Sequence, residues 1–201
     1  YEPGAQWHYS VSVDVQGRLV EVLSGMSFGE FLRTRLFEPL DMEDTAFFVP
    51  SEKQSRLAQL YKPAGLTELN FMAPTTGKGL EVADAYISAG FLAPPAFESG
   101  GAGLVSTARD YLRFAQMMLN GGELDGVHIL SPKTVQLMTS NHLGDLPMGW
   151  GGEGLGFGLG FGLVLEPEIT GEVSSAGEFN WGGAAGTRFW VDPEENLIGI
   201  F

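Results

Sequence analysis

Cysteine is absent from the 201-residue sequence. Without it the chain has no disulfide framework, no thiolate nucleophile and no cysteine-ligated zinc ribbon. Positive charge is also scarce, because 11 Lys and Arg residues stand against 25 Asp and Glu residues and give a formal net charge of −14. Such an acidic chain argues against nucleic acid or an anionic membrane surface as a partner. No apolar run approaches the roughly 18 residues that a membrane helix needs.

Histidine is sparse as well. The three copies, His8, His128 and His142, lack the close spacing of metal-binding pairs. Protein zinc sites draw their ligands from clustered histidines, cysteines and carboxylates at short, characteristic spacings. We therefore predict no metal centre and no cofactor.

The two ends of the sequence lack the features of natural termini. Tyr1 to Gly4 contain no methionine and no basic or apolar leader, and Ile200 and Phe201 lie inside an apolar run without a polar tail. We interpret the 201 residues as part of a longer chain. With 44% apolar residues they can still bury a substantial core.

Apolar residues at helical spacing predict helices over residues 12–23, 28–36, 51–60, 108–119 and 132–140. Ser27 with Glu30 three residues later has the spacing of a capping box, and Pro132 has the position that proline favours at a helix start. The Met117-Met118 pair is predicted to pack in the core. The Pro- and Gly-rich segment 61–99 is interpreted as a long ordered loop.

Two nucleophile patterns involve Ser27. Residues 25–29 spell G-x-S-x-G, but a nucleophile elbow follows a strand, and the preceding segment is predicted to be helical. A triad of Ser27, Asp110 or Asp125, and His142 can be written down, yet it lacks that elbow. We therefore interpret Ser27 as a helix cap.

Glycine is concentrated in two further places. Residues 100–103 read Gly-Gly-Ala-Gly before a helix but lack the lysine and serine of a phosphate loop, so a phosphate site is not predicted. Glycine alternates with Trp, Leu and Phe from Gly149 to Gly162, a period of two that predicts one strand or extended rim.

The sequence from Gly177 to Phe201 predicts an antiparallel meander, with a turn at residues 192–196. Its first strand carries Trp181-Gly182-Gly183. Adjacent glycines weaken a strand, so they indicate that another group approaches the backbone there. One interpretation is an edge strand that aims bare N–H groups at a substrate carbonyl oxygen. The other is a bulge or a crowded strand crossing.

Several motifs in chain order resemble the serine β-lactamase and penicillin-binding-protein superfamily, within it the class C-like branch and especially the family VIII carboxylesterases. The segments that carry the resemblance are Pro3-Gly4, Tyr9-Ser10, residues 37–45, residues 100–107 and Trp181-Gly182-Gly183. They cover nearly the whole chain. The resemblance implies an α+β fold of the β-lactamase/transpeptidase type, incomplete in this sequence. Residues 1–201 would be the C-terminal part of one domain, mainly helical over about 12–140 and an antiparallel sheet over about 150–201.

The same resemblance assigns roles. Members of the superfamily use a serine in an S-x-x-K motif, a tyrosine in a Y-x-N motif and a third motif, K-T-G or a variant, on the edge strand. Tyr9 matches the tyrosine, and Trp181-Gly182-Gly183 matches the third motif with Trp in place of Lys. The backbone N–H of Ala184 would then help to bind the oxyanion. No serine of this sequence has a lysine three residues later, so the S-x-x-K motif is expected upstream.

Two departures from the family motifs bear on the substrate. Val11 replaces the asparagine of Y-x-N, and Trp181 replaces the lysine that would meet a carboxylate. A site without those partners matches a β-lactam or a peptide carboxylate poorly, so a small neutral ester is the predicted partner. If Trp150, Phe157 and Phe161 line the cleft, they would suit an apolar acyl chain.

The sequence leaves other functions open. A β-lactamase, a D-aminopeptidase or an acyltransferase of the same superfamily would use the same motifs. A binding protein that keeps this fold without the nucleophile is a further alternative. The oligomeric state is not predicted.

Overall fold

The structure is a computed structural model that describes residues 1–64, 79–83, 90–149, 152–183 and 185–201. Its α-helices, numbered along the described chain, are α1 (Ser12–Ser24), α2 (Phe28–Leu32), α3 (Ala108–Leu119), α4 (Pro132–Met138) and α5 (Pro167–Thr170). A π-helical turn, Arg33–Phe37, continues α2, and a 3-10 helix spans Ser51–Arg56.

Helices α1 and α2 are joined by a sharp turn. Gly25 adopts the left-handed conformation, with φ of 70°, and its N–H bonds the Glu21 carbonyl to end α1. Ser27 then accepts a hydrogen bond from the Glu30 N–H, which confirms its predicted role as the cap of α2. Because a helix precedes Ser27, the nucleophile-elbow interpretation is excluded.

Helix α3 supplies much of the core. Thr107 caps it through the Asp110 N–H, and Gly121, with φ of 76°, follows its end. Ala115, Met117 and Met118 are buried on one side of the helix, so the methionine pair packs in the core as predicted.

The described strands are β1 (Tyr61–Pro63), β2 (Leu80–Val82), β3 (Glu123–Leu124), β4 (Val127–His128), β5 (Leu155–Phe157), β6 (Gly162–Val164), β7 (Phe179–Gly182), β8 (Arg188–Asp192) and β9 (Leu197–Ile200). Strands β5 to β9 form one antiparallel sheet in chain order. The predicted meander corresponds to β7, β8 and β9. The α+β architecture is therefore present, with α3 packed on β8 and β9.

Two sequence interpretations of extended segments were wrong. Residues 149–162 do not form one strand, because β5 pairs with β6 as a hairpin that reverses near Gly160, whose φ is 99°. Glycine alternation is equally compatible with a strand and with its reversal. The segment 61–99 is not all loop, since β1 pairs with β2; parts of it lie outside the described residues.

The core lies between α3 and one face of the sheet. Phe161, Phe179 and Phe189 pack ring against ring there, and Tyr111 of α3 lies 4.9 Å from Phe189, centroid to centroid. Burial of the Tyr111 phenol raises its pKa to about 12. Among the described helices none is long and apolar enough to cross a membrane.

Candidate active site

Tyr9 lies three residues before the start of α1, in a segment without regular secondary structure. Val11 occupies the N-cap position of that helix, and the Ser10 hydroxyl bonds the Ser12 hydroxyl at 2.6 Å. The Tyr9 side chain is 55% exposed. The residue is therefore accessible to solvent.

Four aromatic side chains contact one another in a closed ring that includes Tyr9. We call them the aromatic quartet: Trp7, Tyr9, Phe157 and Trp181. Ring centroids lie 6.1 Å apart for Tyr9 and Trp181 and 5.2 Å apart for Trp181 and Phe157. Phe157 lies 5.4 Å from Trp7, and Trp7 lies 6.2 Å from Tyr9. These separations and tilted geometries are favourable for aromatic pairs. The structure thus brings Tyr9 beside the strand that carries the third motif.

Of the three aromatic residues considered for a cleft, Phe157 belongs to the quartet. Phe161 does not line a cleft; it is buried in the core, 5.2 Å from Phe179. Its place follows from the hairpin, which turns this residue towards α3. Trp150 lies outside the described residues. The sequence motifs do not single out Trp7, which lies two residues before Tyr9.

Strand β7 is not an edge strand of the described sheet, because it pairs with both β6 and β8. The pairing with β6, however, ends at Asn180, whereas the pairing with β8 continues to Gly182. The Gly183 N–H bonds the Thr187 carbonyl at 2.8 Å, so this donor is directed at the β8 side. Successive residues of an antiparallel strand alternate in direction. The Gly182 N–H therefore points away from β8, beyond the end of the β6 pairing.

Gly182 and Gly183 are glycines for different physical reasons. A Cβ atom at Gly183 would collide with the Thr187 hydroxyl. A Cβ atom at Gly182 would meet the Thr187 carbonyl oxygen at 3.8 Å, an ordinary contact, and the described packing offers nothing closer. Glycine at position 182 therefore leaves backbone open beside Trp181. Ala184, the predicted oxyanion donor, lies outside the described residues.

A cavity of about 370 Å³ adjoins this arrangement. Its lining residues are Gln6, Trp7, His8, Tyr9 and Gly149. Small-molecule sites commonly measure ~300–1,000 Å³, so the cavity is at the small end of that range.

The charged side chain paired with the third motif lies on the other face of the sheet. Arg188 is the direct cross-strand neighbour of Gly182, and side chains alternate between faces, so Arg188 lies opposite Trp181. Its guanidinium bonds Glu172 at 3.1 Å. In the part of the chain that the structure describes, no three His, Asp or Glu side chains gather as a metal site requires.

Helices packed on an antiparallel sheet, with an exposed tyrosine beside a glycine-bearing strand, define the class of β-lactamase/transpeptidase-like proteins. The family model described as Beta-lactamase matches residues 1–201. The chain belongs to that family, whose relatives include esterases.

Curated relatives match along nearly the whole chain. Protein Rv1367c of Mycobacterium tuberculosis is 33% identical over 215 residues, which cover 100% of this chain and 49% of the relative. Esterase EstB of Burkholderia gladioli is 28% identical over 196 residues, which cover 96% of this chain and 48% of the relative. The chain thus spans about half the length of the curated relatives it matches.

Solved structures support the fold. EstCE1, described as a hydrolase with promiscuous acyltransferase activity, superposes with a TM-score of 0.76 at 25% identity, covering 100% of this chain and 51% of that one. Simvastatin synthase LovD from Aspergillus terreus superposes with a TM-score of 0.77 at 23% identity, covering 99% of this chain and 50% of that one. The LovD match shows the fold alone.

Proposed function

We propose that this chain supplies the tyrosine and the third motif of a serine hydrolase that cleaves small carboxylic esters through an acyl-serine intermediate. The observation that carries the proposal is the contact between the exposed Tyr9 ring and Trp181, on the strand whose next residue, Gly182, leaves its backbone open. The nucleophile would come from an S-x-x-K motif outside this sequence. The substrate partner is a small ester.

The proposed reaction gives each of these groups a role. The serine Oγ adds to the ester carbonyl carbon while its proton passes to the Tyr9 oxygen, and the Tyr9 hydroxyl proton passes on to the lysine of the proposed S-x-x-K motif. Backbone N–H groups at the end of β7, with Ala184 as the proposed donor, stabilise the negative oxygen. Collapse breaks the ester C–O bond, and Tyr9 protonates the departing alkoxide.

Hydrolysis of the acyl-serine uses the same groups. Water adds to the acyl carbon and gives a proton to Tyr9. The serine oxygen then leaves with that proton, and a carboxylic acid is released. Tyr9 and the lysine of the proposed S-x-x-K motif both return to their starting protonation states.

The charge distribution favours an ester over a substrate that carries a carboxylate. Trp181 stands where the family has a lysine, and Arg188 lies on the opposite face, bound to Glu172. A carboxylate beside Trp181 would thus lose water without gaining either cation. A neutral ester loses nothing by their placement.

The surface of α1 supports the view that more polypeptide packs here. Its exposed apolar side chains recur at helical spacing along one stripe: Val11, Val15, Leu19, Val22 and Leu23. Since the curated relatives are about twice as long as this chain, we propose that the nucleophile-bearing part covers this stripe.

The test is hydrolysis of p-nitrophenyl butyrate by the full-length protein and its Tyr9→Phe variant. We expect kcat to fall by about 10²–10⁴-fold, the usual contribution of a positioned acid–base group. Tyr61→Phe is the matched control, because Tyr61 is 53% exposed, close to the 55% of Tyr9, but lies in strand β1 of a separate sheet. Its kcat should stay within about twofold of the parent value, as for surface changes that touch no catalytic group.

Equal rates for the Tyr9→Phe variant and the parent would refute the role of Tyr9. An inactive parent protein would favour the binding-protein alternative. Faster hydrolysis of nitrocefin than of the ester would favour a β-lactamase.

A further inference from the structure

The glycine loop, residues 99–103, contacts the first turn of α1. The Asp14 Oδ1 accepts a hydrogen bond from the Ser99 hydroxyl at 2.6 Å and another from the Gly101 N–H at 3.1 Å. The Ser99 hydroxyl oxygen in turn lies 3.2 Å from the Gly101 N and 3.2 Å from the Ala102 N. One carboxylate thus holds the loop by a side chain and a backbone donor.

The glycines of this loop are explained by close approach to α1. A Cβ atom at Gly100 would lie 2.5 Å from the Val13 carbonyl oxygen, a backbone atom that cannot move aside without shifting the helix. A Cβ atom at Gly101 would lie 3.3 Å from the Val13 side chain. The Gly-rich motif, which carries no phosphate-loop residues, therefore serves to bring the loop backbone against the helix.

The loop is itself fixed to the rest of the helical region. Just before it, the Glu98 carboxylate accepts a hydrogen bond from the Gly29 N–H of α2 at 2.7 Å. Just after it, Val105 and Ala46 exchange backbone hydrogen bonds of 2.9 and 3.1 Å. Both anchors lie outside α1. Asp14 consequently connects α1 to a braced part of the molecule.

Tyr9 lies five residues before Asp14 and three residues before the start of the helix. We propose that Asp14 is a positioning residue, which sets the place of the Tyr9 ring against Trp181 by fixing the first turn of α1 to the glycine loop. The importance of this position rests on the function proposed above. The positioning itself does not, and it can be measured without substrate.

The structural test uses fluorine NMR of the full-length protein labelled with fluorotryptophan. Trp7 and Trp181 both contact the Tyr9 ring, so their resonances report its position; they are assigned with Trp7→Phe and Trp181→Phe variants. Asp14→Ala should shift both resonances. Asp14→Asn should shift them less, because an amide oxygen can still accept from Ser99 and Gly101.

Glu21→Ala is the matched control on the same helix. Glu21 also accepts a backbone hydrogen bond, from the Phe28 N–H at 3.3 Å, but it lies at the far end of α1 from Tyr9. This variant should leave the Trp7 and Trp181 resonances in place even if it destabilises the fold. Ser99→Ala removes the loop side of the same contact and should also shift both resonances. It takes the place of Asp14→Ala in the test should that variant fail to fold.

Activity provides the second readout. Asp14→Ala should lower kcat for p-nitrophenyl butyrate by about 10- to 100-fold, since small misplacements of a reacting group have effects of that size. KM should stay within about twofold, because the binding surface keeps its residues. Asp14→Asn should restore most of kcat.

Folded Asp14→Ala and Ser99→Ala variants with unshifted Trp7 and Trp181 resonances would overturn the inference, whatever the activity. If the parent protein hydrolyses no ester but the Trp7 and Trp181 resonances still shift in the variants, the positioning role is upheld. In that case the proposed function fails instead.

Discussion

At the scale of single residues, Glu178 is the least expected feature of the sheet. Its carboxyl is buried beside β7, and the pairing of that strand with β8 places it near Asp192, which is also buried. The Asn180 amide donates a hydrogen bond to Glu178 at 3.1 Å. Burial, and to a lesser degree the Asp192 charge, raises the pKa of Glu178 above its ordinary value of 4.5.

A raised carboxyl pKa in the folded state lowers stability as the pH rises. The native protein holds the Glu178 proton more tightly than the unfolded chain does, so the free energy of unfolding falls as the pH rises above about 4.5. Glu178→Gln removes this titration and keeps an acceptor for Asn180. We expect the variant to match the parent near pH 4 and to melt at a higher temperature at pH 8.

Calorimetric melting at both pH values tests this expectation. Glu172→Gln is the control, because the exposed Glu172 carboxylate bonds Arg188 on the surface. Relative to the parent, the Glu172→Gln variant should not gain stability between pH 4 and pH 8. A Glu178→Gln variant with the same stability difference at both pH values would contradict the account.

Only some residues of the candidate site could be predicted from the sequence. Tyr9 and Trp181 were matched from motifs, and the structure places their rings in contact; their catalytic roles stay predictions. Phe157 was considered from the sequence only as a possible cleft residue, and Trp7 was not foreseen. About 150 positions separate Trp7 from Phe157 in the sequence, and only the course of the chain through the sheet brings them together.

At the scale of elements, a buried carboxylate joins α3 to the segment before the 3-10 helix. Asp110 accepts hydrogen bonds from the Asp44 N–H at 2.7 Å and from the Thr45 hydroxyl at 2.9 Å. Thr45 also bonds Ser106 at 2.7 Å. These hydrogen bonds fix residues 44 and 45, which come directly before the backbone bridge between Ala46 and Val105.

Asp110→Ala should destabilise the protein because it leaves the part-buried Asp44 N–H without its acceptor. A loss of about 2–4 kcal/mol in the free energy of unfolding is expected. Urea denaturation measures it. Arg109→Ala, the adjacent exposed residue of α3, loses a surface pair with Asp41 and a longer pair of 3.8 Å with Asp110, and should cost less than about 1 kcal/mol. Equal losses for the two variants would contradict this account.

Local signals in the sequence predicted the helices better than the strands. Ser27, Thr107 and Ser131 cap helices through their own neighbours, so the information lies within a few residues. The β5–β6 hairpin depends on more distant contacts, because Gly158 packs against the Met138 carbonyl at the end of α4. The spacing of apolar residues in the sequence does not indicate that contact.

At the scale of the whole molecule, family membership and fold are clear, and the division of the domain stays a prediction. The chain matches the Beta-lactamase family from residue 1 to residue 201 and spans about half of its curated relatives. The exposed stripe of α1 is the surface on which the proposed remainder would pack. Catalysis would then require both parts of the polypeptide.

The most direct measurement is a crystal structure of the full-length protein after reaction with a phosphonate ester, which mimics the tetrahedral intermediate on a serine nucleophile. We expect the phosphonate adduct to lie in the space between the Tyr9 side chain and the end of β7. The Tyr9 hydroxyl should lie about 2.6–3.2 Å from the oxygen that represents the leaving group. A backbone N–H after Gly183 should donate to the oxygen that represents the oxyanion, at about 2.7–3.1 Å. An adduct on a residue remote from Tyr9 and β7 would contradict the account.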